Sequence, residues 1–227
     1  RLVSKKIGFV SVPDGKRWNN RVVALGGGIA VFSSISLAFL WRGNSVLISI
    51  YPAFLAMFVL GFYDDVWGTS PAVKLIVQVI CAAFVISKGF VAPFPWTIPG
   101  IALTVIWIVG MTNSLNLIDN MDGLAGGCTA IAALGMALVL SNMKQALPGE
   151  ALILVAVAAA SIGFLFHNFH PARVFMGDAG SLPLGFLLAV FSTRMKLVRA
   201  EISPLFSFVL ILLILIVPLL DTFLVIV

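Results

Sequence analysis

The sequence is short of charge. Lys, Arg, Asp and Glu together make up 10% of its 227 residues, against roughly 25% in a soluble domain. That scarcity excludes a solvated or disordered chain. It also excludes a nucleic-acid surface, because there is no basic domain with interleaved aromatics to hold one. Cysteine is almost absent: Cys81 and Cys128 both sit inside apolar runs, so a disulfide framework is ruled out by count. They read as small packing residues. Histidine is equally rare, with His167 and His170 three apart. A zinc site normally needs three protein ligands, and no third His or Cys is near, so the pair reads as interfacial.

What fills the space is apolar. Hydrophobic residues reach 61% and the mean hydropathy is +1.13. Runs long enough to cross a bilayer, or nearly so, occupy about 26–40, 46–63, 73–90, 101–117, 124–140, 151–166, 182–191 (reaching 195) and 204–220. A span needs ~20 residues, so several borrow a turn from their flanks. The fold expected is all-α, a polytopic transmembrane helical bundle of about eight spans. It forms a single integral membrane domain over 1–227, with 1–23 as a basic cytoplasmic loop and 24–227 as the bundle. No stretch reads as a signal peptide, and both ends read as cut, so the expectation is a fragment.

The few charges are placed unevenly. Arg1, Lys5, Lys6, Lys16, Arg17 and Arg21 crowd the first segment against Asp14. The plain reading is a positive-inside signal; the sharper one is that some also touch an anionic ligand. Counting spans puts an even number between successive aspartates. All seven therefore fall on one face and both glutamates, Glu150 and Glu201, on the other. The first basic cluster makes the aspartate face cytoplasmic, although Arg194, Lys196 and Arg199 pull mildly the other way.

Three acidic stretches carry the chemistry. Asp64 and Asp65 are adjacent carboxylates at a membrane edge, expected in a loop over 64–70. They either stop a helix or serve a metal, a proton or a phosphate. Lys74 follows at the start of the next helix, where the dipole disfavours a cation. It either snorkels or meets an anion there. Asn116, Asp119 and Asp122 are spaced by three, so a helical turn would project them to one side. Hard oxygens at that spacing suit Mg²⁺. Asp178 lies between Gly177 and Ala179-Gly180 ahead of a short span, and Asn168 is a polar residue at the end of an apolar helix, expected to bind something. An ion-coupled transporter is the rival from another class. Its site would lie at the bilayer midplane on broken helices, and these aspartates fall at helix ends.

The motifs D-D-V-W-G-T-S-P-A-V-K-L (64–75), N-S-L-N-L-I-D-N-M-D-G-L-A (113–125) and N-F-H-P-A-R-V-F-M-G-D-A-G-S (168–181) resemble, in that order, those of the polyprenyl-phosphate N-acetylhexosamine-1-phosphate transferases (glycosyltransferase family 4). The resemblance covers nearly the whole chain. It implies transfer of a sugar-1-phosphate, N-acetylglucosamine-1-phosphate foremost, from a UDP-N-acetylhexosamine to undecaprenyl phosphate. UMP is released and cell-envelope polysaccharide synthesis begins. The other branch is the phospho-N-acetylmuramoyl-pentapeptide transferase of peptidoglycan synthesis. By the same resemblance Asn116 and Asp178 hold Mg²⁺, with Mn²⁺ as the substitute. Asp64 and Asp65 are the catalytic aspartates, Asp65 positioning first and acting as base second. Lys74 contacts phosphate, and Asp119, Asp122 and Asn168 shape the nucleotide-sugar site. The implied location is the bacterial inner membrane, multi-pass, with the active site on the cytoplasmic face. The implied partners are the nucleotide sugar, the polyprenyl phosphate and the bilayer, with a second copy of the chain as a candidate.

The first loop departs from the family pattern P-D-x-R-K-x-H-x-x-P-x-P-x-x-G-G. Lys16 and Arg17 stand in exchanged order, Asn19 replaces His, and Val22 and Ala24 replace both prolines. Thr69 stands for Leu and Asn120 for Gly. The family also has a preceding helix, a His-rich loop and further helices that this sequence does not contain. The altered first loop makes a degenerate, inactive homologue a second rival.

Overall fold

A computed structural model of the chain describes residues 10–11, 23–42, 45–91, 97–142, 147–195, 212 and 215–226. In chain order these form β1 (Val10–Ser11), β2 (Val23–Leu25), α1 (Gly27–Arg42), α2 (Ser45–Trp67), α3 (Pro71–Ser87), α4 (Thr97–Ile118), α5 (Leu124–Ser141), α6 (Pro148–Asn168), β3 (Val174–Phe175), α7 (Asp178–Ser192) and α8 (Ile216–Ile226). The molecule is a polytopic helical membrane protein, as its apolar runs indicate. Helices α2, α4, α5 and α6 are long and apolar enough to cross a membrane; α1, α3 and α7 are shorter apolar helices. Outward side chains such as Leu37, Leu40, Ile80, Ile106, Ile131 and Leu138 are exposed, as a lipid-facing surface requires.

The bundle is built around α7. Every residue from Ala179 to Ser192 is buried. Helices α1, α2, α4 and α5 pack around it. They come close because glycines meet backbone. A Cβ on Gly28 would overlap Gly180 and the Met176 carbonyl, and one on Gly61 would overlap the Asp178 carbonyl. Such small-residue contacts are how membrane helices gain packing where no hydrophobic effect drives them together. At the far end, Trp107 Nε1 on α4 donates to Ser192 Oγ on α7 at 2.8 Å.

The helical bundle is as expected, and four details differ. First, a small sheet joins it: β2 pairs antiparallel with β1 and parallel with β3, with Ala24 opposite both Val10 and Val174. Two or three apolar residues beside a basic loop give no period to read. The sheet is continued by Gly28 N–H donating to the Met176 carbonyl at 3.0 Å, so it fixes the start of α1 beside the start of α7. Second, Asp64 and Asp65 are not in a loop. Helix α2 runs on to Trp67 and stops at Gly68. Third, α7 begins at Asp178 rather than near Leu182. Fourth, Asp221 does not follow a helix; it lies inside α8. The first basic segment, with Lys16, Arg17 and Asn19, lies outside the described residues, as do residues 204–211 of the last expected span and Glu201.

Candidate functional site

Helix directions bring five segments to one end of the bundle. The last turn of α2 supplies Asp64 and Asp65. The first turn of α3 supplies Lys74, after Pro71 at the helix start and Ser70 Oγ capping the Val73 N–H. The end of α4 supplies Asn116, and the turn after it Asp119 and Asp122. Asn168 closes α6, and Asp178 opens α7. Glu150 stands at the opposite end of the bundle, 3.7 Å from Arg194.

Lys74 and Asp178 are the centre of the cluster. The Lys74 ammonium donates to Asp64 Oδ2 at 2.6 Å and to Asp178 Oδ2 at 2.7 Å. Its side chain keeps 22% of its exposure, so the bridge is half-buried and screened less than a surface pair. The second Asp178 oxygen accepts from Asn116 Nδ2 at 2.8 Å, and the same amide donates to Ser181 Oγ at 2.8 Å. The Asp178 carboxylate is thus held from both sides, by α3 and by α4.

Asp65 acts differently. Its two oxygens accept the backbone N–H groups of Asp178 and Ala179, at 2.9 and 3.0 Å. A carboxylate at a helix N-terminus satisfies free donors and complements the dipole. Asp65 therefore sets where α7 begins. Gly177, just before, has φ 71°, and a Cβ there would strike the Asp65 carboxylate. Glycine alone adopts that backbone without strain and leaves room for the cap. Asp65→Asn puts an NH₂ group against one of those N–H donors. It is expected to cost about 1.5–3 kcal/mol, as for a hydrogen bond to a charged group, measured as a lowered melting temperature in detergent.

The three-residue spacing from Asn116 holds, but its targets are protein. Asp119 Oδ2 accepts the Gly177 N–H at 3.1 Å. Asp122 Oδ2 accepts the Ala172 N–H at 3.0 Å and lies 3.1 Å from His170 Nδ1. Asn116, Asp119 and Asp122 thus grip successive points of the segment 172–181. Asn168 is 3% exposed; its Oδ1 accepts from Gly123 N–H at 2.9 Å and its Nδ2 donates to the Val174 carbonyl at 3.0 Å. What it binds, among the described residues, is the backbone of the turn before α5 and of β3. Asp64, Asp65, Lys74, Asn116, Asp119 and Asp178 form one connected cluster, while Asp122 and Asn168 support the loop beside it. Ser181 and Gly61 were not singled out from the sequence. Ser181 could have been, as a serine in the first turn of a helix that opens on an acidic residue. Gly61, in an apolar span, carries no such signal.

Two carboxylates, Asp64 and Asp178, hold the Lys74 ammonium, and two more, Asp65 and Asp119, bind the backbone of residues 177–179 beside it. An anionic ligand can approach such a group only with a cation to offset the charge. What fold and cluster define is a helical membrane protein with an acidic, lysine-bridged cluster at one end of its bundle.

The chain belongs to glycosyl transferase family 4, whose profile it matches over residues 47–196. It is 34% identical, over 98% of its own length, to a Bacillus subtilis protein named probable undecaprenyl-phosphate N-acetylglucosaminyl 1-phosphate transferase. It is 38% identical over 73% of its length to a phospho-N-acetylmuramoyl-pentapeptide-transferase of Thermosynechococcus vestitus. It is 30% identical over its full length to a decaprenyl-phosphate N-acetylglucosaminephosphotransferase of Mycobacterium tuberculosis. It spans 64%, 50% and 65% of those three proteins.

Proposed function

We propose that the protein transfers N-acetylglucosamine-1-phosphate from UDP-N-acetylglucosamine to undecaprenyl phosphate on the cytoplasmic face of a bacterial inner membrane. A phosphate oxygen of the lipid attacks the sugar-linked phosphorus. The bond from that phosphorus to the bridging diphosphate oxygen breaks, UMP departs with the electron pair, and a polyprenyl diphosphate sugar remains in the bilayer. The observation that carries this reading is the Lys74 bridge between Asp64 and Asp178, with Asn116 on the other Asp178 oxygen.

The donor set fits Mg²⁺. Its atoms are hard oxygens. Among the described residues no three His, Cys, Asp or Glu side chains converge as a closed cage. That suits an ion held by one or two protein oxygens, with water and phosphate completing its shell. Asp178 and Asn116 would hold it, and Asp64 stands across Lys74 from them. When bound, the ion supplies charge neutralisation at the diphosphate.

The chain's own residues do the remaining work. Lys74 offers its ammonium to phosphate oxygens and is aimed by two carboxylates. Asp65, with both oxygens on the α7 backbone, positions Asp178. A phosphate monoester has its second pKa near ~6, so the attacking group is already ionised at neutral pH. No side chain has to act as a strong base. Asp119, Asp122 and Asn168 shape the nucleotide-sugar side by holding the segment 172–178 in place.

The test is UMP release by the full-length protein in detergent with undecaprenyl phosphate and Mg²⁺. UDP-N-acetylglucosamine and UDP-N-acetylmuramoyl-pentapeptide are supplied in separate reactions. Release with the first donor, dependent on lipid and abolished by a chelator, is expected. Release with only the second would move the protein to the peptidoglycan branch. Cation flux into vesicles without UMP would replace the enzyme with a transporter.

A further inference from the structure

One turn below the acidic cluster a buried amide, Gln78, faces a half-buried one, Asn113. Gln78 on α3 has no exposed surface. Its Oε1 accepts from Asn113 Nδ2 at 2.7 Å, and its Nε2 donates to Asn113 Oδ1 at 3.3 Å. Asn113 Nδ2 also donates to the Val109 carbonyl at 2.8 Å, which fixes the plane of the amide. Around this pair α3 and α4 are apolar, with Cys81, Ala82, Val85, Ile108 and Met111 in the core.

A buried amide is tolerated only when its partners are supplied. Each of these supplies the other, and an exchange of that kind is made at a single register of the two helices. Apolar neighbours do not discriminate in this way, since leucine-like surfaces tolerate sliding. A lone buried polar contact fixing the register of packed helices is a recognised use of such groups.

The register matters because of what lies one turn above. Gln78 is four residues past Lys74, and Asn113 three residues before Asn116. At 1.5 Å per residue the amide pair lies about 4.5–6 Å beneath the cluster on the two helices. Helix α3 leads away from the cluster and α4 returns to it. Sliding one past the other by a turn, about 5.4 Å, would carry Lys74 out of reach of the carboxylate that Asn116 holds.

We propose that Gln78 and Asn113 are positioning residues, a reciprocal amide clasp that sets α3 against α4 so that Lys74 and Asn116 meet at Asp178. The activity arm of the test rests on the function proposed above; the structural arm does not.

The experiment uses full-length protein in detergent. It compares wild type with Gln78→Asn, with Asn113→Gln, and with the exchanged pair carrying both. All three variants keep two amides, so folding is retained. The structural readout is the rate at which a small amine-reactive ester acylates Lys74, followed by peptide mass spectrometry. Lys88, exposed at the far end of α3, is the internal control. Each single variant is expected to label Lys74 about tenfold faster as the ammonium, no longer held between Asp64 and Asp178, becomes accessible to the reagent, with Lys88 unchanged. Each is also expected to lower kcat about tenfold while the donor KM stays within about twofold, the signature of lost alignment rather than lost binding. The exchanged pair restores both. Single variants that label at the wild-type rate, or an exchanged pair as impaired as the singles, would overturn the clasp. If wild type released no UMP, the proposed function would fall, and the labelling rates would still decide the clasp.

Discussion

Asp178→Asn is expected to reduce UMP release by about 10³-fold, the upper range for losing one preorganised electrostatic group, with little change in melting temperature. The two halves of that expectation have separate causes. The side chain of Asp178 is where α3 and α4 converge: Lys74 holds one oxygen and Asn116 the other. Asparagine keeps the shape and removes the charge. Lys74 is left with Asp64 as its carboxylate, and the position expected to share a cation with Asn116 becomes neutral. The backbone of residue 178 is unaffected, because the bond that fixes α7 runs from its N–H to Asp65. Activity should therefore collapse in a protein that still elutes and melts as wild type. A variant that retained more than about a tenth of wild-type turnover would place the electrostatic centre elsewhere. A variant that lost both activity and melting temperature would make Asp178 a structural residue.

That division could not be read from the sequence. The motifs D-D-V-W-G-T-S, N-S-L-N-L-I-D-N-M-D-G and F-M-G-D-A-G-S were legible as polar, acidic breaks between apolar runs. The count of spans puts them on one face of the membrane. What each carboxylate touches was not legible. Asp64 and Asp65 are neighbours in sequence and look equivalent. They lie about 100° apart around a helix, so one reaches Lys74 and the other the start of α7. Reading 64–70 as a loop hid that difference. The loop reading came from the polar composition, and the stop signal, Gly68, comes three residues after Asp65. Asn168 shows the same gap. A polar residue ending an apolar helix announces that it will bind something, but not that its partners are the backbones of Gly123 and Val174. The sheet escaped for a different reason. Its strands are two or three residues long and are fixed by pairing between residues 10, 24 and 174, too short for any alternation to show. The central place of α7 was not legible, because its neighbours are apolar on all sides too and a bilayer accepts such a helix at the rim as readily as inside.

The residue with the least sequence signal gives the second large effect. Gly61→Ala is expected to destabilise the protein by about 1–3 kcal/mol, the usual cost of overpacking, and to lower UMP release by about 10²-fold, the cost of roughly 1 Å of misalignment at a reacting centre. On an open helix face the change would help, since alanine is favoured over glycine in a helix by about 1 kcal/mol. Here the sign reverses. A Cβ at Gly61 would overlap the carbonyl of Asp178 and the nitrogen of Ala179. Both belong to the backbone, so no side chain can turn aside, and α2 and α7 must move apart. That movement pulls on the two bonds from Asp65 to α7 and on the site one turn further along α2. Gly110→Ala is the control, because nothing lies within 4 Å of a Cβ there; it is expected to leave turnover intact and stability equal or higher. The pair Gly61→Ala with Asp178→Asn then separates the two effects. If Gly61 acts on turnover by displacing Asp178, the double variant loses little more activity than Asp178→Asn alone, while the stability cost of the alanine remains in full. Additive losses in activity would mean that the contact between α2 and α7 serves the reaction by some route other than the Asp178 carboxylate.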